Sequence, residues 1–299
     1  MAPELIFSSS DTEHETKQVV GKFEKSAMDL RKKIEQILEE AMNSGGNILY
    51  LGKICDFTKG EIEIIYDFKV KVLNGSIYLL VPSMPHQSMV SLVSSIFSQG
   101  STPTFQSRSY ADIPVTIYGK YSCGSVTVKR PDFALRLYKP WGSIPIVAEC
   151  AFRHEELLDL IVEGAELLTE FTVFQYCICF KIHRCSFFPA NFYVFERTVP
   201  GGQNLNTIDP AAVAALSHEC LEKERAINEE LFAHLGISLV FHRVIAPENI
   251  DQDFTFELQA SHFGLEQETI TFTVSGDSVI MSKENFDAYI ALFPCRRNE

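Results

Sequence analysis

Apolar residues recur along this chain in two rhythms, one helical and one strand-like, and the changes of rhythm predict its elements in order. Val19, Val20, Phe23, Ala27, Leu30, Ile34, Leu38 and Ala41 share one stripe. That spacing predicts an amphipathic helix over 14–42, stopped at Ser44-Gly45-Gly46. Alternating runs at 61–73 and 76–82 flank Asn74-Gly75, a pair that tolerates positive φ, so a hairpin is expected there. Ser83-Met84-Pro85-His86 opens a helix to about Phe97, and strands are expected near 113–119, 125–137 and 144–151. Leu157, Leu158, Ile161, Val162, Ala165 and Leu168 mark a helix over 155–169, and Thr172 to Ile182 is apolar almost throughout, as in a strand buried on both faces.

Strand, helix and buried strand make a βαβ unit, which requires a partly parallel sheet. Val199-Pro200-Gly201-Gly202-Gln203-Asn204 reads as a linker. Asp209-Pro210 then caps a helix to about Leu235, strands follow near 237–245, 253–258 and 268–274, and a last helix starts at Ser282. The expected fold is α/β, a mixed central sheet flanked by helices with an α+β C-terminal extension. Its expected parts are a helical region over 1–58, a core over 59–198 and the extension over 199–299.

Composition narrows the function classes. The chain has 299 residues, 46% hydrophobic and 22% charged, which is ordinary globular usage and excludes a disordered chain. The N-terminal MAPELIFSSSDTEHETKQ has neither a basic start nor an apolar leader, and no apolar run has membrane-spanning length. A cytoplasmic or nuclear location without membrane contact is expected. Eight scattered cysteines in such a chain are expected as reduced thiols. A net charge of −13 excludes binding nucleic acid by bulk electrostatics, so any nucleic-acid site must be local.

The candidate chemistry lies in Arg130-Pro131-Asp132-Phe133-Ala134-Leu135 and in Ile144-Pro145-Ile146-Val147-Ala148-Glu149-Cys150-Ala151. Two acids on neighbouring strands place carboxylates side by side at a sheet edge, a donor set suited to Mg²⁺, which prefers oxygen ligands and keeps several waters. With His86 leading a helix after the hairpin, Pro131-Asp132, Pro145 to Glu149, the helix 157–168 and the strand 173–182, residues 60–190 resemble the PD-(D/E)xK restriction-endonuclease-like superfamily, in particular a branch of small bacterial and fungal proteins. The resemblance implies hydrolysis of nucleic-acid phosphodiesters dependent on Mg²⁺ or Mn²⁺, with Asp132 and Glu149 as catalytic residues and metal ligands. It also implies DNA or RNA as a partner and His86 near the cleft.

The chain departs from that pattern at Ala151, where the family carries its basic residue. Two cations are candidates to replace it. Arg130 falls opposite Ala151 if strands 125–137 and 144–151 pair antiparallel with Asp132 facing Glu149. Lys181 ends the strand after the crossover helix, level with the end of the Glu149 strand. Lys181 is favoured, because an ammonium can shift its pKa and orient a water whereas a guanidinium stays charged. The alternative is a catalytically inactive nuclease-fold module acting in protein or nucleic-acid binding, with a protein partner at the C-terminal region. Cys177, Cys179, His183 and Cys185 lie at even offsets, but buried cysteines of a core strand explain them better than zinc.

Overall fold

A computed structural model describes residues 17–18, 27–44, 48–65, 68, 70–73, 76–80, 84–99, 101–112, 117–120, 126–129, 131–138, 143–152, 157–170, 173–183, 186–199 and 229–292. The chain divides into two compact units, Met1–Gln87 and Ser88–Glu299. Among the described residues no helix is long and apolar enough to cross a membrane.

The first unit contains β1 (Lys17–Gln18), α1 (Ala27–Ser44), β2 (Ile48–Lys53), α2 (Lys59–Ile65), β3 (Val70–Leu73) and β4 (Ser76–Leu80). Its sheet has the order β1-β2-β4-β3. Leu30, Ile34 and Ala41 of α1 are buried with Leu49, Leu51, Ile77 and Leu79 of the sheet, which is the face the helical stripe defines. The expected helix over 14–42 is shorter at its start, since Lys17 and Gln18 pair in parallel with Leu49 and Tyr50. Asn74-Gly75 lies outside the described residues; β3 and β4 pair antiparallel on either side of it, with Leu73 facing Ser76.

The run 61–73 is not one strand. Thr58 caps α2: its amide and hydroxyl both donate to Glu61 Oε2 at 2.7 Å, and the Glu61 amide donates back to Thr58 Oγ1 at 3.3 Å. This reciprocal capping starts a helix, so Glu61-Ile62-Glu63-Ile64-Ile65 reads as strand by alternation alone.

The second unit begins within α3 (Met84–Gln99). It contains α4 (Pro103–Gln106), β5 (Ser109–Asp112), β6 (Ile117–Lys120), β7 (Val126–Lys129), β8 (Phe133–Leu137), β9 (Ile146–Phe152), α5 (Leu157–Glu170), β10 (Tyr176–His183) and β11 (Ser186–Arg197). It ends with α6 (Glu229–His234), β12 (Ile237–Ile245), β13 (Phe254–Gln259), β14 (Thr269–Val274) and α7 (Gly276–Leu292). The architecture is α/β around a mixed six-stranded sheet of order β12-β11-β10-β9-β8-β5. β9 and β10 run parallel, joined by α5, and every other neighbouring pair in this sheet is antiparallel.

Alternation along β9 and β10 sorts their residues onto two faces. Ile146, Ala148, Cys150, Ile178, Phe180 and Ile182 meet α3, the β13–β14 hairpin and α7. Val147, Ala151, Cys177 and Cys179 meet α5 and α6. Both faces are covered, which is why the strand after α5 is so uniformly apolar.

Three further expectations change, and a fourth falls partly outside the described residues. The strand 125–137 is two strands in different sheets: β7 pairs with β6, while β8 joins the central sheet beyond Pro131. Proline fixes φ and offers no ladder donor, so the break falls at it. The expected strand 113–119 is described only from Ile117, and β5 precedes it. β11 was not expected at all, because Pro189-Ala190-Asn191 interrupts its apolar pattern. The last helix starts at Gly276 rather than Ser282, where the Asp253 carboxylate accepts from the Gly276 amide at 2.8 Å and caps the first turn. Residues 200–204 of the expected linker, and 209–228 of the helix after it, lie outside the described residues.

Candidate functional site

In the β8–β9 ladder Phe133 faces Ala148 and Ala134 faces Val147. The ladder ends there, and Asp132 lies in the bend just before β8; continuing the register by one residue would set it opposite Glu149. Pro131 cannot continue the ladder as a donor, and the Asp132 side chain takes over as acceptor: the Cys150 amide donates to its Oδ2 at 2.8 Å. That bond fixes the carboxylate at the strand end.

Across the parallel β9–β10 ladder, Glu149 pairs with Cys179 and Ala151 pairs with Lys181. Paired residues of neighbouring strands share a face, and so do residues two apart on one strand. Glu149, Ala151, Cys179 and Lys181 therefore form one block on the α5 side of the sheet. Lys181 occupies the place beside Ala151. Arg130, the other cation expected here, lies outside the described residues.

Burial singles the same residues out. Asp132, Glu149 and Lys181 are 6%, 3% and 3% exposed, and among the described residues they are the only charged side chains buried. An ion withdrawn from water costs several kcal/mol unless opposite charge or hydrogen bonds offset it.

The helix above the block approaches closely. A Cβ built on Gly164 of α5 would stand 2.8 Å from Cys179 Sγ and 3.0 Å from Cys177 Sγ, so only glycine fits against the two thiols. The sulfurs are 3.9 Å apart. The hydrogen bond with Cys179 and burial push the Cys177 thiol well up, and the charges of Glu163 and Asp132 act in the same direction. Cys55, Cys150, Cys177 and Cys179 are free thiols. Cys185 lies outside the described residues, and Cys177 and Cys179 are core residues beneath α5.

Asp132 and Glu149 are the residues that could hold a hard divalent ion, since carboxylate oxygens are the donors such an ion prefers. Among the described residues no group of three or more His, Cys, Asp or Glu side chains is arranged around one point. His86 lies in the first turn of α3, half-buried, in the first unit.

Sequence reasoning missed what continues the row. Cys179 pairs with Tyr193 and Lys181 with Asn191 on β11, and Tyr193 pairs with His242 on β12. Without β11 there was no register to bring Asn191 and His242 to this face. No protein-family model, no curated protein and no solved structure matches the chain.

Proposed function

We propose that the chain is a metal-dependent nuclease of the PD-(D/E)xK restriction-endonuclease-like kind, hydrolysing phosphodiesters of DNA or RNA. The observation that carries this reading is that the buried charges among the described residues are Asp132, just before β8, Glu149 on β9 and Lys181 on β10, with Lys181 paired to Ala151 two residues beyond Glu149. Burying charge is costly, so buried ionisable groups on neighbouring strands mark a candidate site.

In this reading Asp132 and Glu149 hold Mg²⁺ or Mn²⁺, which when bound lowers the pKa of a coordinated water and offsets charge on the phosphodiester. Asp132 is kept in its binding orientation by the Cys150 amide. Lys181 supplies the positive charge that position 151 lacks, orients the attacking water and steadies the charge that develops on the phosphate. Ala151, fully buried and small, leaves room for the lysine to reach across from the next strand.

The second reading, an inactive module that only binds, draws on α5, whose exposed Asp159 and Glu163 place negative charge on the helix above the block. The test is cleavage of single- and double-stranded DNA and RNA by the purified chain with Mg²⁺ or Mn²⁺, beside Asp132→Ala. Cleavage that needs both metal and Asp132 supports the nuclease; binding without cleavage supports the module.

A further inference from the structure

The row that begins at the carboxylates runs on across the sheet as Glu149, Cys179, Tyr193 and His242, each paired with the next. At its far end the Tyr193 and His242 rings lie parallel, with centroids 4.2 Å apart and 3° between their planes. Tyr193 is 2% exposed and stacks in turn on Phe195, which meets Phe232 edge-on. His242 is exposed. An imidazole is thus held flat against a rigid aromatic base, at the surface.

Asn191 sets the pair in place: its Oδ1 accepts from the Tyr193 hydroxyl at 3.3 Å and lies 3.4 Å from His242 Nε2. Partial burial pulls the His242 pKa down, so the ring is neutral near pH 7 and offers a π-face rather than a charge. A neutral flat ring is a poor phosphate ligand and a good stacking partner for another flat ring.

Three strand spacings of about 4.8 Å separate Glu149 from His242, about 14 Å in all. Four stacked nucleotides at about 3.4 Å each span the same length. Lys181 and Asn191 sit in the adjoining row between the two ends. A strand whose scissile phosphate lies at the carboxylates can therefore bring a nearby base over His242. That base must be unpaired, because bases within a duplex show no free face.

We propose that the His242–Tyr193 stack is the platform for one unpaired base of a single-stranded nucleic acid substrate, an assignment that rests on the nuclease reading of Asp132 and Glu149. The test is fluorescence anisotropy of the full chain with a labelled twelve-nucleotide single strand in EDTA, where metal-dependent cleavage cannot run. His242→Ala should weaken binding by about fivefold or more, the scale of one lost base–aromatic stack. His242→Phe, which keeps a ring, should stay close to wild type. An abasic strand of equal length should bind wild type as weakly as the base-bearing strand binds His242→Ala. Equal binding by wild type and His242→Ala, equal binding of the abasic strand, or no binding to wild type would each overturn the platform. Base-dependent binding by a chain that cuts nothing with Mg²⁺ or Mn²⁺ would remove the nuclease reading and keep the platform; cleavage without base dependence would do the reverse.

Discussion

Lys181 lies beside Ala151 across the parallel β9–β10 ladder, on the face that carries Glu149. On the nuclease reading, the basic residue expected two positions after the second acid would have its counterpart one strand over, at the same height in the sheet. The substitution exchanges a covalent spacing for a register, and a register is held only as well as the core around it. Ile178, Phe180 and Ile182, all fully buried, hold β10 in place from the opposite face.

If Asp132 and Glu149 bind a divalent ion, the ion should stabilise the fold through them. Mg²⁺ at about one hundred times its dissociation constant should add about 2.7 kcal/mol to the unfolding free energy of wild type. Asp132→Asn and Glu149→Gln should fold and gain nothing. Urea unfolding with Mg²⁺ or with EDTA measures this, and an equal gain in all three chains would place the ion elsewhere.

Gly164→Ala tests how closely α5 lies on the thiols. An alanine in a helix interior normally stabilises relative to glycine by roughly 0.5–1 kcal/mol. Here the added carbon meets both sulfurs at 3.0 Å or less, and overpacking should reverse the sign, costing about 1–3 kcal/mol. Cys179→Ala should remove much of that cost, giving strong coupling in a double-mutant cycle. Additive effects of the two substitutions would show that the helix sits further off.

The cap of α2 has a pH signature. Hydrogen bonds from the Thr58 hydroxyl and amide hold the Glu61 carboxyl below its ordinary 4.5. A lowered folded-state pKa contributes stability that is present above the ordinary value and is lost as pH falls through the folded value. Thr58→Ala removes the hydroxyl contribution, so the Glu61 midpoint should rise towards 4.5 in a carbon-detected carboxyl titration. An unchanged midpoint would mean that the cap is not formed in solution.

What the sequence made legible follows from how local each signal is. The helix at 157–170 and the strand at 176–183 announce themselves by period and by continuous apolarity, and their βαβ connection fixes a parallel pair. That rule is what brought Lys181 level with the end of the Glu149 strand. Glu61-Ile62-Glu63-Ile64-Ile65 alternates like a strand, and the signal that overrides it is a capping threonine outside the run. Pro131 marked a motif and was not read as a break. His242 stands 61 residues beyond Lys181 and reaches the same face only through β11, whose proline hides its pattern.

The most direct measurement is the cleavage rate of four chains assayed together with Mg²⁺: wild type, Asp132→Asn, Lys181→Ala and the double variant Lys181→Ala/Ala151→Lys. Wild type should cut and Asp132→Asn should not. Lys181→Ala should be slower by about a hundredfold or more, the scale of one positioned electrostatic group, and moving the lysine back to position 151 should recover part of the loss. Cleavage by Lys181→Ala at the wild-type rate, or no metal-dependent cleavage by wild type on any strand of DNA or RNA, would contradict the account.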